Sequence, residues 1–314
     1  MKLQKFFQNS NNFRKAFSFI EIAVVILIVA VTLIGVMQGR ELYLKMRLNS
    51  ARTLTERSQV QNIENLALWL ETTLEESLYL TSSDNASPKV LNDDQTIGRW
   101  NDLNFDKNLK VNLLQDTDAN RPKYKMNGIN GLPALIFDGV NDFMQNQKQY
   151  FTNNFVLFMV GTPGRACTNL TSGNVGVSGQ NYLIYPQYEP NPSAGFGVSL
   201  CKNQIVTAEN SVNYMPFRNT YTASINSPVL INVVYNNGAP SLYVNSKFIS
   251  TASASGYQIV PGYSIGRDFL TVAEPYSYGY FSGYVGEVIY YSSVLKEDDR
   301  KLIEAYLTEK WQIK

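Results

Sequence analysis

Hydrophobic and polar positions divide the chain into three stretches with different periods. Residues 1–16 (MKLQKFFQNSNNFRKA) are polar and basic, with Lys2, Lys5, Arg14 and Lys15. Residues 17–38 (FSFIEIAVVILIVAVTLIGVMQ) form one apolar run broken by a single acid, Glu21. A helix of about 22 residues at roughly 1.5 Å per residue reaches about 33 Å, enough to cross a hydrocarbon core of about 30 Å. Residues 39–65 contain no proline and only Gly39, and Leu44, Leu48, Ala51 and Thr55 recur along one helical face. Arg40, Lys45, Arg47, Arg52, Glu56 and Arg57 occupy the other positions. The spacing predicts one helix from Phe17 to about Glu64, roughly 70 Å long at about 1.5 Å per residue.

From residue 66 the period changes to that of strands. Short Val, Ile, Phe and Tyr runs alternate with Asn, Gly, Ser and Pro: PALIFDG (133–139), NFVLFMVG (154–161), PVLINVVY (228–235), SLYVN (241–245), KFIST (247–251) and GYVGEVIYYS (283–292). Short strands separated by turn residues predict a sandwich of two antiparallel sheets. Asn237-Gly238 predicts a tight turn, because both residues accept positive φ. A closing helix is predicted over 296–311, with Leu302, Ile303, Tyr306 and Leu307 facing the sandwich and Glu297, Asp298 and Asp299 at its N-terminal end.

The basic start favours a cytoplasmic N-terminus and an exported C-terminal bulk, although Arg40, Lys45 and Arg47 follow the span. An ordinary secretory signal has a shorter apolar region with a small-residue cleavage site after it. Here the charge precedes a longer run, and Glu21 lies near its start. A carboxylate at membrane depth is costly unless a partner neutralises it.

Lys15-Ala16-Phe17-Ser18-Phe19-Ile20-Glu21 resembles the type IV prepilin cleavage motif, usually written G|FTLIE. The resemblance implies cleavage between Ala16 and Phe17 by a prepilin peptidase, and N-methylation of the new Phe17 amine. It also implies that Glu21, at mature position five, pairs with the N-terminal amine of a neighbouring subunit. The family prefers Gly where this chain has Ala16. Residues 66–314 resemble the concanavalin A-like, laminin G-type jelly roll. The resemblance runs in order through LALWLET (66–72), IGRWNDL (97–103), NRPKY (120–124), INGLPALIFDGVNDFM (129–144), LYVNSKFI (242–249), YSIGRD (263–268) and the segment 283–311. Ser246 stands where that family has Gly, so a longer or altered loop is expected there. Trp69, Trp100 and Trp311 match its core positions.

The organisation that follows is a leader (1–16), a transmembrane and assembly helix (17–65) and a LamG-like β-sandwich with a C-terminal helix (66–314). The fold class is mainly β with a long N-terminal α-helix.

Composition narrows the chemistry. The chain has no His, which removes Ser-His-Asp and Cys-His catalysis and the commonest metal ligand. Its net charge of +1 gives no reason to expect nucleic-acid binding. Glycoside hydrolysis needs two carboxylates on one cleft. No E-x-D-x-x-E strand occurs, and Glu287 sits alone in its strand. The chain is therefore expected not to be an enzyme.

Asp138, Asn141 and Asp142 gather oxygen ligands on one turn and are the candidate calcium site, with no other cofactor expected, yet the same residues are ordinary turn formers. Cys167 and Cys201 flank 33 residues. Outside the membrane they are expected to pair, a bridge of about 3–4 kcal/mol in the chain-entropy model, with two buried thiols as the alternative. Tyrosines that could stack on sugar rings lie in YPQYEP (185–190; Tyr185, Tyr188), NYMPFRNTY (213–221) and EPYSYGYF (274–281; Tyr276, Tyr278), where cross-strand packing is the competing role.

These features lead to a pilin-like subunit displaying an adhesive domain. The expected partners are other pilin subunits, the prepilin peptidase, the inner membrane before assembly, and a glycan or surface protein. Its expected location is the inner membrane, then the pilus or cell surface. At 298 residues after cleavage it is large for a major subunit, so a minor or tip position is expected. The alternatives are a type II secretion pseudopilin and a membrane-anchored carbohydrate-active enzyme.

Overall fold

A computed structural model describes residues 19–83, 90–106, 108–149, 152–168, 179–267 and 279–314. Helix α1 (Phe19–Arg57) is unbroken, as a stretch without proline allows. The chain forms two units, residues up to Met46 and Arg47–Lys314. In the first unit the apolar residues of α1 are exposed on every side, from Phe19 at 86% to Met37 at 72%. Among the described residues this is the one helix long and apolar enough to cross a membrane. The predicted end near Glu64 is too late: α1 stops at Arg57, a 3-10 turn follows at Val60–Asn62, and Asn65 takes φ 66° to turn the chain into the first strand.

The second unit begins with the last turns of α1 and contains all the strands. In chain order they are β1 (Leu66–Glu71), β2 (Leu78–Tyr79), β3 (Arg99–Trp100), β4 (Leu113–Leu114), β5 (Lys123–Ile129), β6 (Leu132–Asp138), β7 (Met144–Gln149), β8 (Phe155–Pro163) and β9 (Tyr182–Ile184). They continue with β10 (Ser193–Leu200), β11 (Gln204–Asn210), β12 (Phe217–Thr222), β13 (Val229–Asn236), β14 (Ala239–Val244), β15 (Lys247–Thr251), β16 (Gln258–Ile265) and β17 (Ser282–Tyr291). Helix α2 (Glu297–Trp311) closes the chain.

Two sheets result. One runs β15-β14-β13-β8-β17-β6-β5, with β1 also paired to β17, and the other runs β12-β11-β10-β9-β16-β7-β4-β3-β2. The fold is thus mainly β: two largely antiparallel sheets in a sandwich, preceded by one long helix. One pairing is parallel, where the first half of β10 meets β16 from Ser193↔Gln258 to Phe196↔Pro261. It arises because three-residue β9 covers only the other half of β10.

The central strands of the first sheet are buried on both faces. Its inner face packs against the second sheet through Leu68, Leu135, Leu157, Ile231, Val288 and Tyr290. Its outer face packs under Ala51 of α1 and Ile303, Tyr306, Leu307 and Trp311 of α2, using Trp69, Phe158, Leu230 and Ile289. Alternate residues of one strand therefore serve two cores, which explains why β1 is apolar from Leu66 to Leu70. Trp69, Trp100 and Trp311 are all buried, as expected.

The helical faces differ in two places from the sequence reading. Leu302 is 51% exposed and does not face the sandwich. At about 100° per residue it lies off the stripe of Ile303, Tyr306, Leu307 and Lys310, and Glu304 and Lys310 are buried instead. Arg47 is likewise buried beside Ala51 and Thr55, one turn apart each.

The Asn237-Gly238 turn joins β13 to β14 with φ of 50° and 79°, the positive pair that a two-residue hairpin needs. Asn245-Ser246 makes an equally tight turn between Val244 and Lys247, with φ of 49° and 62°; the loop is not longer. Ser246 thus holds a left-handed conformation that its Cβ disfavours. Ser246→Gly is expected to raise stability by about 1 kcal/mol in chemical denaturation, and an unchanged or lower midpoint would count against strain at this turn.

Candidate functional site

Where β1 and β17 run side by side under α2, the apolar pattern is broken by three charges. Glu71, Glu287 and Lys310 have fully buried side chains. Lys310 Nζ lies 3.0 Å from Glu71 Oε2 and 2.8 Å from Glu287 Oε2. Every carboxylate oxygen has further donors. Glu287 Oε1 accepts from Trp69 Nε1 (2.7 Å) and Tyr306 Oη (2.8 Å), and its Oε2 accepts from Trp311 Nε1 (2.8 Å). Glu71 accepts from the amides of Thr73 (2.8 Å) and Leu74 (2.6 Å) and from the hydroxyls of Thr73 and Ser77. Burial alone would push the Glu71 carboxyl up, but Lys310 and these donors hold it below its ordinary value. Burial would lower Lys310, but the two carboxylates hold it above its ordinary value.

Glu287 is therefore not alone, as its strand suggested. It is half of an acid pair bridged by a lysine and sealed from solvent. Arg47 adds a fourth charge, the second cation, by donating from Nη2 to the Lys310 carbonyl at 2.6 Å, and Tyr306 Oη reaches Thr55 Oγ1 at 3.2 Å. The cluster joins the base of α1, β1, β17 and α2. Asp102 of the W-N-D-L segment plays a related part. Burial pushes its carboxyl up while it accepts from the amides of Trp69, Asn104 and Val111.

A second buried acid ties the two sheets together at their far edge. Glu209 of β11 accepts from Tyr235 Oη on β13 (3.0 Å), Tyr214 Oη (2.7 Å) and Ser255 Oγ (2.7 Å). Arg218 Nε of β12 lies 3.1 Å from its Oε1, paired by proximity more than by alignment. Burial, then the Glu209 charge, pushes the Tyr214 hydroxyl up to about 12. The Tyr214 ring stacks on Tyr257, with centroids 4.3 Å apart and planes at 28°.

Among the expected site residues, Glu21 lies in the first turn of α1. Ala16, Phe17, Tyr276 and Tyr278 lie outside the described residues. Cys167 and Cys201 form a disulfide with Cα atoms 5.4 Å apart. Tyr188 is exposed, whereas Tyr185 is partly buried against Tyr182. Their loop lies along the outer face of β10, where Gly195 and Gly197 leave room: a Cβ at either would fall 1.9 Å from Gln187 O or 2.4 Å from Pro186 Cδ. Asn210 Nδ2 and Ser211 Oγ hold the loop by donating to the carbonyls of Pro186 and Glu189.

Asp138, Asn141 and Asp142 share one turn. Asp138 Oδ1 accepts from the amides of Val140, Asn141 and Asp142, and Asp142 Oδ2 accepts from the Asp138 amide. Calcium requires six to eight oxygen ligands. Asp138 Oδ1 and Asp142 Oδ2 are thus turned to backbone donors, and no group of three or more Cys, Asp or Glu that could hold a metal occurs among the described residues.

Sequence reasoning missed Lys310, Glu71 and Glu209 as partners. The available signals were a lysine on the apolar stripe of α2 and acids inside otherwise apolar strands.

The sequence matches no family model and no curated protein. Solved structures with a similar fold include domain 4 of AbnA, a GH43 extracellular arabinanase from Geobacillus stearothermophilus, at 12% identity and TM-score 0.42, covering 79% of this chain and 98% of that one. An arabinofuranosidase complexed with arabinofuranosyl-α-1,2-xylobiose is similar at 10% identity and TM-score 0.46, covering 69% and 51%. Trypanosoma rangeli sialidase in complex with sialic acid is similar at 14% identity and TM-score 0.47, covering 88% and 39%. The matched stretch thus spans about half or less of the last two chains. At this identity the likeness is one of fold. The similar structures include glycoside hydrolases, so the fold gives no support to the expectation that the chain is not an enzyme.

Two substitutions test the electrostatics. Lys310→Met leaves two buried carboxylates without their cation and is expected to cost about 3–5 kcal/mol in urea unfolding; a loss below about 1 kcal/mol would contradict the role given to Lys310. Asp142 has its carboxyl pushed up to about 7 by burial and by Asp138. A folded value above the unfolded one means stability falls as pH rises between them and stays at the lower level beyond. Asp142→Asn, which keeps an acceptor for the Asp138 amide, is expected to melt higher than the parent above pH of about 7, with the difference vanishing below about 4. A pH-independent difference would show that Asp142 does not titrate there.

Proposed function

We propose that the chain is a type IV pilin-like subunit, in a minor or tip position, that displays its sandwich outside the cell as a glycan-binding domain. The observation that carries the assembly half is the first unit of α1. Its apolar side chains are exposed all round, and the one acid in the run, Glu21, lies in the first described turn. A helix hydrophobic on every side is stable only in lipid or among other helices. The acid at its head needs a cation at the same depth, which the methylated Phe17 amine of a neighbouring subunit supplies. The order of leader, cleavage motif and apolar run supports the same reading. The partners are then other pilin subunits, the prepilin peptidase and the inner membrane before assembly.

The binding half is supported by the sandwich fold and by partly exposed tyrosines on its surface. Among the structures of similar fold, the AbnA domain is in complex with arabinotriose, which is a statement about that domain.

Mass spectrometry of the protein from a cell with a prepilin peptidase is expected to find an N-methylated Phe17 as the first residue. Glu21→Ala is expected to insert in the membrane but to be depleted from sheared filaments. An uncut N-terminus, or normal recovery of Glu21→Ala in filaments, would overturn the assembly half.

A further inference from the structure

We infer that the stacked pair Tyr214–Tyr257, set on buried Glu209, is a binding platform for a neutral pyranose-containing glycan. This rests on reading the sandwich as an exported binding domain and names the place and class of its ligand.

The argument begins with cost. Glu209 is fully buried at the edge where the two sheets meet, and burying a carboxylate is expensive unless all its lone pairs are met. Here they are met by side chains from four other segments: Tyr214 in the turn after β11, Arg218 on β12, Tyr235 on β13 and Ser255 before β16. Ser255 Oγ also accepts the Tyr257 amide at 3.2 Å. Arg218 donates from Nη1 to Tyr214 Oη at 3.4 Å and from Nη2 to the Ser253 carbonyl. The carboxylate therefore fixes both tyrosines, Tyr214 through its hydroxyl and Tyr257 through the backbone that Ser255 holds.

The consequence is a pre-ordered aromatic surface. The Tyr214 hydroxyl is turned inward, and both rings remain partly exposed. Space beside them is open: a Cβ on Gly256 would meet no atom within 4 Å. Asn213 and Gln258, next in the chain to the two tyrosines, are exposed amides of the kind that pair with sugar hydroxyls. A rigid ring pair flanked by a few polar groups suits the apolar face of a pyranose, and rigidity reduces the ordering cost of binding. The ligand is neutral because the one cation in the cluster, Arg218, is already matched by Glu209.

The test uses the full-length chain in nanodiscs against immobilised maltohexaose, cellohexaose, xylohexaose and chitohexaose. The parent is expected to bind at least one of them. Tyr257→Ala is expected to weaken that binding about tenfold or more, while Phe105→Ala, at an exposed aromatic with no part in the cluster, changes it by less than about twofold. Saturation-transfer NMR on the parent reads the site without a variant: irradiating tyrosine ring protons must reach the sugar C–H protons. If the parent binds but Tyr257→Ala does not weaken binding and no transfer is seen, the platform is refuted while the glycan-binding reading stands. If the parent binds none of the four, the platform is refuted together with the neutral-glycan class, and the assembly half is unaffected because the Phe17 N-terminus reports on it separately.

Discussion

A lysine ammonium enclosed between two carboxylates joins parts of this chain that lie far apart in sequence. Glu71 ends the first strand, Glu287 lies in the middle of the last, and Lys310 arrives from the final helix. Three charges without water are tolerable only if every oxygen finds a donor, and the donors come from two indoles, a phenol, two hydroxyls and two amides. That requirement fixes more than the charges. It sets the rotamers of Trp69, Trp311 and Tyr306, which fill the outer core. Through Arg47 and Thr55 it also fixes the last turns of α1. The apolar contacts supply the driving force, while the ion cluster selects one arrangement of them.

The two buried acids sit at opposite ends of the same architectural problem. A sandwich has edges where sheet hydrogen bonding stops, and a domain on a helix has a joint where the helix must become part of a core. Glu209 draws β11, β12 and β13 together at an edge, assisted by Asn219, whose side-chain amide donates across to Pro240 and Ser250 carbonyls. Glu71 and Glu287 perform the corresponding task at the joint. Elsewhere the 185–190 loop lies along the outer face of β10.

Much of this architecture was legible in the sequence. Strand runs such as KFIST and the helix from 297 appear where period and turn residues place them, and the Asn237-Gly238 pair makes its hairpin. What escaped was anything that depended on contacts between distant segments. Leu302 looked like a core residue because it is apolar, and Lys310 did not stand out from the other charged residues of its helix. Their positions follow from which stripe of α2 meets the sheet, and only the partners on β1 and β17 settle that. Asp138 resembled a metal ligand because an oxygen that accepts backbone amides and one that binds a cation have the same sequence signature. Ser246 suggested a looser hairpin, yet the strand register on both sides forced a serine into a glycine's conformation. The tyrosines divided likewise: Tyr185 packs inward, and the Tyr214–Tyr257 pair becomes visible only when β16 is brought beside the turn after β11.

The glycines of β10 carry a consequence for reading relatives of this chain. Gly195 and Gly197 face outward, and the 186–187 backbone lies against the strand where their side chains would be. A homologue with a bulky residue at either place must route that loop elsewhere, uncovering the strip of sheet beneath. Paired glycines two apart, following a proline-bearing loop, thus make a short marker that sorts homologous heads into those with a roofed sheet and those with a bare one, ahead of any structure determination.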